Sequence, residues 1–154
     1  DTSGHLTGGT GHKLTKEERK IYKEGDIIPK SVSNQWLKDD SLFAYEGAMK
    51  QAKSLGISDQ KVINSLASVN FQLGRGWRRK FPDAWKSLQK GDYKGAVKNL
   101  MWADSSNYSD WYKETPDRVK DFARSLLIYD VSLKPEDKLI NKMKEKDDIL
   151  NYAD

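Results

Sequence analysis

Carboxyl and hydroxyl side chains near the two ends of the chain have the types and spacing that acid-catalysed hydrolysis needs. Glu145 and Asp154 lie nine residues apart, and the chain begins with Asp1, followed six residues later by Thr7. Cleavage of a glycosidic bond requires an acid for the leaving oxygen and a second polar centre that organises water or stabilises the transition state. When the C-terminal segment is placed directly before the N-terminal segment, Glu145 is the candidate acid and either Asp154 or Asp1 is the second carboxylate. Thr7 is a candidate for positioning water, from a hairpin turned at residues 3–4.

Three further segments have a recognisable pattern. They are FQLG at 71–74, KNL at 98–100 and WYKETPDR at 111–118. Together with the motif formed by the two ends, they resemble the phage-type lysozymes, the T-even bacteriophage endolysin family, with the order of segments circularly permuted. WYKETPDR is similar to the family's WYNQTPNR. Several matches in compatible spacing carry the resemblance, because 32% of the residues are charged and an isolated pair of carboxylates would arise by chance.

The resemblance implies a fold and an activity. We expect a predominantly helical α+β protein of the lysozyme-like, two-lobed kind, with a small β-hairpin lobe and a helical lobe joined by a long helix. It implies a muramidase that cleaves the β-1,4 bond between N-acetylmuramic acid and N-acetylglucosamine of peptidoglycan. Catalysis would proceed by general acid and water attack, with inversion, and without metal or cofactor.

The resemblance also assigns supporting residues. Asp40 falls at the edge of an apolar helical stripe, where an unpaired carboxylate is costly to desolvate, and the resemblance supplies His12 as its partner. The alternative is that Asp40 is a surface residue and His12 a turn residue. Arg118 would reach Glu145, orient it and oppose the rise in its pKa caused by burial. The positions that match the family's saccharide cleft are Phe71, Gln72 and Asn99, supported by Trp111.

The permuted order requires a bridge between the family's usual ends. The segment 128–135 is short enough to form it, since the termini of compact domains often lie close together. We therefore expect a rearranged or engineered gene with a β-rich lobe at 1–30, a connecting helix at 31–55, a helical lobe at 56–130 and a relocated catalytic helix at 134–154. Two alternatives stay open. The chain could be a lysozyme truncated just after its acid, and the charged residues around Glu145 could be an ordinary solvated run.

The spacing of apolar residues, together with capping residues and prolines, predicts the helices that must position these residues. A short helix is expected over 16–24. A long one is expected from Ser31 to Leu55, with Ser31 or Ser33 as N-cap and Leu37, Ala44, Ala48 and Leu55 on the apolar side. The segment 58–73 is apolar on most faces and should lie at the centre of the helical lobe, with a polar pair, Asn70 and Gln72, facing the cleft. Pro82 and Pro116 mark helix starts, the second capped by Thr115.

Composition is compatible with this class. The chain has 154 residues, 36% of them hydrophobic, no cysteine and a net charge of +4. That suits one compact unit, which we expect to be a monomer. No apolar run is long enough to span a membrane and no signal peptide is recognisable. We therefore expect a protein held in the host cytoplasm before release that acts on the cell wall in the periplasm of a Gram-negative host, without membrane insertion.

Part of the sequence also suits other functions. The basic and aromatic segment 75–81 could bind single-stranded nucleic acid or disrupt membranes. The interpretation we favour is that this segment is a solvated turn anchored by Trp77 and Phe81, and we expect no nucleic-acid partner. The chain also departs from the family pattern at Lys13 and at Lys113-Glu114. The main alternative function is therefore a catalytically weak or inactive lysozyme-like module that binds cell walls.

Overall fold

The computed structural model describes residues 6–9 and 11–133. Over this part of the chain the protein has one small antiparallel sheet and is otherwise mainly helical, so the predicted α+β, predominantly helical fold is confirmed. The elements in chain order are β1 (Thr7–Gly8), β2 (His12–Lys13), α1 (Glu18–Ile21), α2 (Lys30–Leu55), α3 (Gln60–Leu73), a 3-10 turn (Trp77–Arg79), α4 (Pro82–Gln89), α5 (Tyr93–Met101), α6 (Asp110–Glu114) and α7 (Pro116–Ser132).

The hairpin is a small unit that packs against the first half of α2. Thr7 pairs with Lys13 and Gly8 with His12. A side chain at Gly8 would lie 3.0 Å from the Trp36 ring, so glycine allows the strand to approach the helix closely. Leu14 and Trp36 are the buried apolar residues of this unit. The turn predicted at residues 3–4 lies outside the described residues.

The long helix α2 joins the hairpin to the other helices and spans 26 residues. The prediction of a serine N-cap is wrong: Pro29 precedes the helix without a capping side chain, and the Ser33 hydroxyl donates to the Lys30 carbonyl instead. Leu37 was expected to be buried but is 38% exposed. It lies on the same face as Ala44 and Ala48, yet the helical core covers only the second half of α2 and the hairpin packs on Trp36.

The helical core is built around α3, as predicted. Asp59 caps this helix by accepting a hydrogen bond from the Val62 amide (3.0 Å), and α3 contacts α2, α7 and the 3-10 turn. Trp77 is fully buried at the centre, where its ring makes edge-on contacts with those of Trp85 and Phe122. The interpretation of 75–81 as an anchored turn is therefore confirmed. None of the helices in the described part combines the length and apolar character needed to cross a bilayer.

A buried polar network connects α2, α3 and the 3-10 turn. The Asn70 amide nitrogen donates to the Ala44 carbonyl (3.0 Å) and to Gln51 Oε1 (2.9 Å), and its oxygen accepts from Gln51 Nε2 and Trp77 Nε1, both at 3.1 Å. The expectation that Asn70 faces the cleft is wrong, since it is only 4% exposed. Its four hydrogen bonds satisfy it inside the core, where a cleft-facing rotamer would leave Trp77 Nε1 without its acceptor.

Candidate active site

His12 connects the hairpin to two helices through both nitrogens of its ring. Nδ1 lies 2.7 Å from Asp40 Oδ2 on α2, and Nε2 lies 2.8 Å from Glu18 Oε1 on α1. The ring also stacks on Trp36, with centroids 4.4 Å apart. The predicted contact with Asp40 is confirmed, and the alternative of two independent surface residues is wrong. With a carboxylate at each nitrogen, both nitrogens donate when the imidazole is doubly protonated.

Glu18 is a partner that sequence reasoning missed. The signal was present in the spacing Thr15-x-x-Glu18, which is the pattern of a capping box. The Thr15 amide donates to Glu18 Oε1 (2.8 Å), and the Glu18 amide donates to the Thr15 hydroxyl (3.2 Å). The same carboxylate oxygen accepts from His12. A local helix-start motif therefore also supplies the second acceptor for the histidine.

The charges in this cluster shift each other's titration. Burial alone lowers the pKa of His12, but the hydrogen bonds that His12 donates to Glu18 and Asp40, together with their negative charges, outweigh burial, so the pKa is raised above its usual value. Burial pushes the pKa of Glu18 upward, but hydrogen bonds from the Thr15 amide and from His12 bring it below its usual value. The folded state therefore favours the cationic form of His12, in which both ring nitrogens donate to carboxylates.

Thr7, the candidate for water positioning, is exposed on β1 opposite Lys13. Its strand pairs with the strand that carries His12, so the contact of His12 with Asp40 also fixes the position of Thr7 relative to α2. The other catalytic candidates, Glu145, Asp154 and Asp1, lie outside the described residues, as do the predicted relocated helix and the junction that the permutation requires.

Gln72, Trp111 and Thr115 form a closed hydrogen-bonded ring. The Trp111 indole nitrogen donates to Gln72 Oε1 (3.2 Å), Gln72 Nε2 donates to the Thr115 hydroxyl (3.0 Å), and that hydroxyl donates to the Trp111 carbonyl (3.1 Å). The expectation that Thr115 caps α7 with its side chain is wrong. The hydroxyl is used to fix the turn between α6 and α7, and Gln72 orients the tryptophan.

Arg118 lies near the start of α7 and is exposed. Together with Gln72 and Trp111 it lines a small pocket of about 50 Å³. Among residues 6–9 and 11–133, no carboxylate forms an ion pair with its guanidinium. Arg118 is therefore a cation at the rim of a pocket, available to an anionic group.

Trp111 also lines a larger pocket of about 630 Å³. Its walls combine the aromatic rings of Phe81, Trp102 and Trp111, the polar side chains of Asn99 and Ser109, and the charged side chains of Lys80, Asp83, Asp110 and Glu114. The Asn99 amide donates to the Ser87 hydroxyl at 3.4 Å. Trp111 thus lines two pockets, the larger of which contains Asn99 and the smaller Gln72 and Arg118.

Phe71 is half-buried and is not among the residues that line these two pockets. The structure therefore places two of the three predicted cleft residues, Gln72 and Asn99, in pockets that Trp111 also lines, and leaves Phe71 aside. In the described part of the chain, no three His, Asp or Glu side chains are grouped as metal ligands would be.

A family model and a phage protein both match this chain. The family model described as phage lysozyme matches residues 1–112, which include the hairpin, Asp40, Gln72 and Asn99 but neither Arg118 nor Glu145. Over 129 residues the chain is 27% identical to the protein named peptidoglycan hydrolase gp36 of Pseudomonas phage phiKMV. That alignment covers 82% of this chain and 13% of the relative, so the chain corresponds to a small part of the relative's length.

Proposed function

The chain belongs to the phage lysozyme family, and we propose that it hydrolyses peptidoglycan by cleaving the β-1,4 bond between N-acetylmuramic acid and N-acetylglucosamine. The observation that carries this proposal is the 630 Å³ pocket beside Trp111, with Asn99 in its wall. Aromatic rings with a few polar groups suit a sugar, which has C–H-rich faces and a rim of hydroxyl and amide groups. The volume lies within the usual range for sites that take small ligands.

The chemistry we propose needs one acid and one activated water. The acid carboxyl, assigned to Glu145, gives its proton to the leaving glycosidic oxygen as the C–O bond breaks. Water held by Thr7 and by Asp1 or Asp154 attacks the anomeric carbon from the opposite face, forms the new C–O bond and loses a proton to the second carboxylate. Attack by water in a single displacement inverts the configuration at the anomeric carbon.

The described residues contribute positioning to this reaction. The cationic His12 ties the hairpin to Asp40 and Glu18 and thereby holds Thr7. Gln72 orients Trp111, which lines both pockets. Arg118 is the cation we assign to the acid, where a guanidinium would fix the orientation of the carboxyl group and oppose the rise in its pKa on burial. We propose that the enzyme works without metal or cofactor, as a monomer, on the cell wall in the periplasm.

The identity of the bond is tested by product analysis. Purified sacculi are digested with the chain, and the soluble products are reduced with borohydride and examined by mass spectrometry. A muramidase leaves N-acetylmuramic acid at the reducing end, so reduced muramitol is expected in every fragment. Reduced glucosaminitol would contradict the proposed bond, and free peptides without new reducing ends would contradict glycosidic cleavage altogether.

A second candidate is a module that binds cell walls with weak activity or none. The observation that favours it is the extent of the family match, which ends at residue 112 and leaves out the assigned acid. Sedimentation with sacculi separates the two functions. Binding without release of soluble fragments over hours would favour the module, whereas release of fragments at catalytic amounts of protein would favour the hydrolase.

A further inference from the structure

An exposed stack of aromatic rings lies on the connection between α5 and α6. The rings of Trp102 and Tyr108 are 4.2 Å apart between centroids and tilted by 30°, and those of Tyr108 and Tyr112 are 4.6 Å apart and tilted by 34°. Trp102 is 37% exposed and Tyr108 is 41% exposed. We call these three residues the aromatic ladder. Neither the family's catalytic motif nor the predicted cleft residues include any of them.

The backbone around the ladder is held by local hydrogen bonds. Trp102 and Tyr108 face each other in an antiparallel bridge, next to which the Ala103 amide donates to the Asn107 carbonyl (2.9 Å). Inside the turn, the Asp104 carboxylate accepts from the amides of Ser106 (2.8 Å) and Asn107 (3.0 Å). The rings are therefore presented by a closed loop, and little conformational entropy is lost when a ligand binds them.

The ladder continues the wall of the large pocket. Trp102 lines that pocket, together with Phe81 and Trp111, whose rings lie 5.9 Å apart. Aromatic surface thus extends from the pocket through Trp102 to Tyr108 and Tyr112. The negative face of an aromatic ring attracts the weakly positive C–H groups on the flat side of a pyranose ring. Because Tyr108 stacks on both Trp102 and Tyr112, its own faces are covered, and the exposed ring of Trp102 in the pocket wall is the one that a sugar can contact, with Tyr108 supporting it.

We propose that the aromatic ladder is an additional saccharide-binding surface, which takes a sugar ring of the glycan strand adjacent to the rings held in the pocket. This rests on the proposed function. A membrane surface is disfavoured because the neighbouring pocket wall carries three carboxylates, from Asp83, Asp110 and Glu114, against the single cation of Lys80. Anionic headgroups would be repelled there, whereas interfacial binding surfaces are usually rich in Lys and Arg.

The test compares Trp102→Ala and Tyr108→Ala with Trp102→Phe, which keeps a ring for stacking. Phe43→Ala serves as control, because Phe43 is an aromatic residue that is 60% exposed on α2. The substrate is long glycan strands from which the peptide stems have been removed by an amidase. We expect both alanine variants to raise KM by about three- to tenfold with kcat unchanged. Phe43→Ala should match the wild type, and Trp102→Phe should recover most of the loss in KM because it keeps a ring for stacking.

The outcomes separate this inference from the proposed function. If the wild type cleaves the strands but neither alanine variant changes KM, the saccharide surface is refuted and the hydrolase stands. An effect confined to strands that keep their peptides, or a loss of binding to phosphatidylglycerol vesicles at unchanged KM, would also refute it. If the wild type binds the strands without cleaving them, the dissociation constants replace KM as the measure. If it neither cleaves nor binds them but releases fragments from intact sacculi, the saccharide surface is refuted and the hydrolase stands; if it also leaves sacculi intact, both proposals fail.

Discussion

Nδ1 of His12 lies 2.7 Å from Oδ2 of Asp40, across 28 residues of sequence. This contact joins the glycine-rich hairpin to the long helix α2, and the second ring nitrogen repeats the arrangement with Glu18 on α1. Because the two strands of the hairpin offer only two residues each, the polar cluster and the packing against Trp36 determine where Thr7 is held. We therefore expect the position of Thr7 relative to α2 to depend on the protonation of His12.

Stability should decrease as the pH rises from about 6.5, the pKa of an unfolded histidine, through the higher pKa of folded His12. The folded state binds the proton more tightly than the unfolded state, so the contribution of His12 is complete below the unfolded pKa and is lost above the folded one. Urea unfolding of the wild type and His12→Gln across pH 5 to 9 measures this. The difference between them should shrink as the pH rises, and a constant difference would contradict the cationic cluster.

Removing the Asp40 carboxylate should destabilise the protein more than removing its neighbour. Asp40→Asn weakens a charge-assisted hydrogen bond to a partly buried histidine, and we expect a loss of about 1–3 kcal/mol at pH 6. Asp39→Asn is the matched control, because within residues 6–9 and 11–133 the Asp39 side chain accepts one hydrogen bond, from Gln35 on the exposed side of α2. Equal effects of the two substitutions would show that the contact with His12 contributes nothing to stability.

The buried amide of Asn70 should be among the most sensitive polar side chains in the described core. Asn70→Ala leaves the indole nitrogen of Trp77 without its acceptor and the buried Gln51 oxygen without its donor, and a loss of about 2–4 kcal/mol is expected. Asn64→Ala on the exposed side of the same helix should cost less than about 1 kcal/mol. Thermal unfolding of both variants gives the comparison, and a mild effect at Asn70 would indicate that water replaces the amide.

Arg118 should influence the pH dependence of catalysis. If its guanidinium lowers the pKa of the catalytic acid, Arg118→Met will raise that pKa and move the alkaline limb of kcat/KM to higher pH. The maximum rate should also fall, because the acid loses its orientation. Arg124→Met is the control on α7, since in the described part of the chain Arg124 forms its one ion pair with the exposed Asp121. An unchanged alkaline limb in Arg118→Met would separate this residue from the acid.

Much of the helical part could be predicted from the sequence. Pro82 begins α4 and Pro116 begins α7 as expected, and the apolar pattern of residues 58–73 places α3 at the centre of the core. Periodicity works there because tertiary burial and helical spacing agree. It failed at Leu37, since the spacing of residues along α2 does not tell how far the helical core extends.

The polar contacts were predicted less well, for identifiable reasons. A hydroxyl such as that of Thr115 can cap a helix or form another hydrogen bond. Here it bonds with the Trp111 carbonyl and with Gln72, and Gln72 is too distant in sequence for this contact to be predicted. The stacking of Trp102 on Tyr108 depends on an irregular loop, and such a loop has no regular spacing of apolar residues from which a contact could be predicted. The contact of His12 with Asp40 came from the resemblance, because nothing in the local sequence joins residues 28 positions apart.

The most direct test of the central claim is the clearing of chloroform-treated Gram-negative cells by the wild type, Glu145→Gln and the matched control Glu136→Gln, at equal folding by circular dichroism. The account predicts that the wild type and Glu136→Gln clear the suspension and that Glu145→Gln does not, because the amide has no proton to give to the leaving oxygen. Clearing by Glu145→Gln at the wild-type rate would place the acid elsewhere and contradict the permuted arrangement. No clearing by the wild type would contradict the assignment of hydrolysis to this chain.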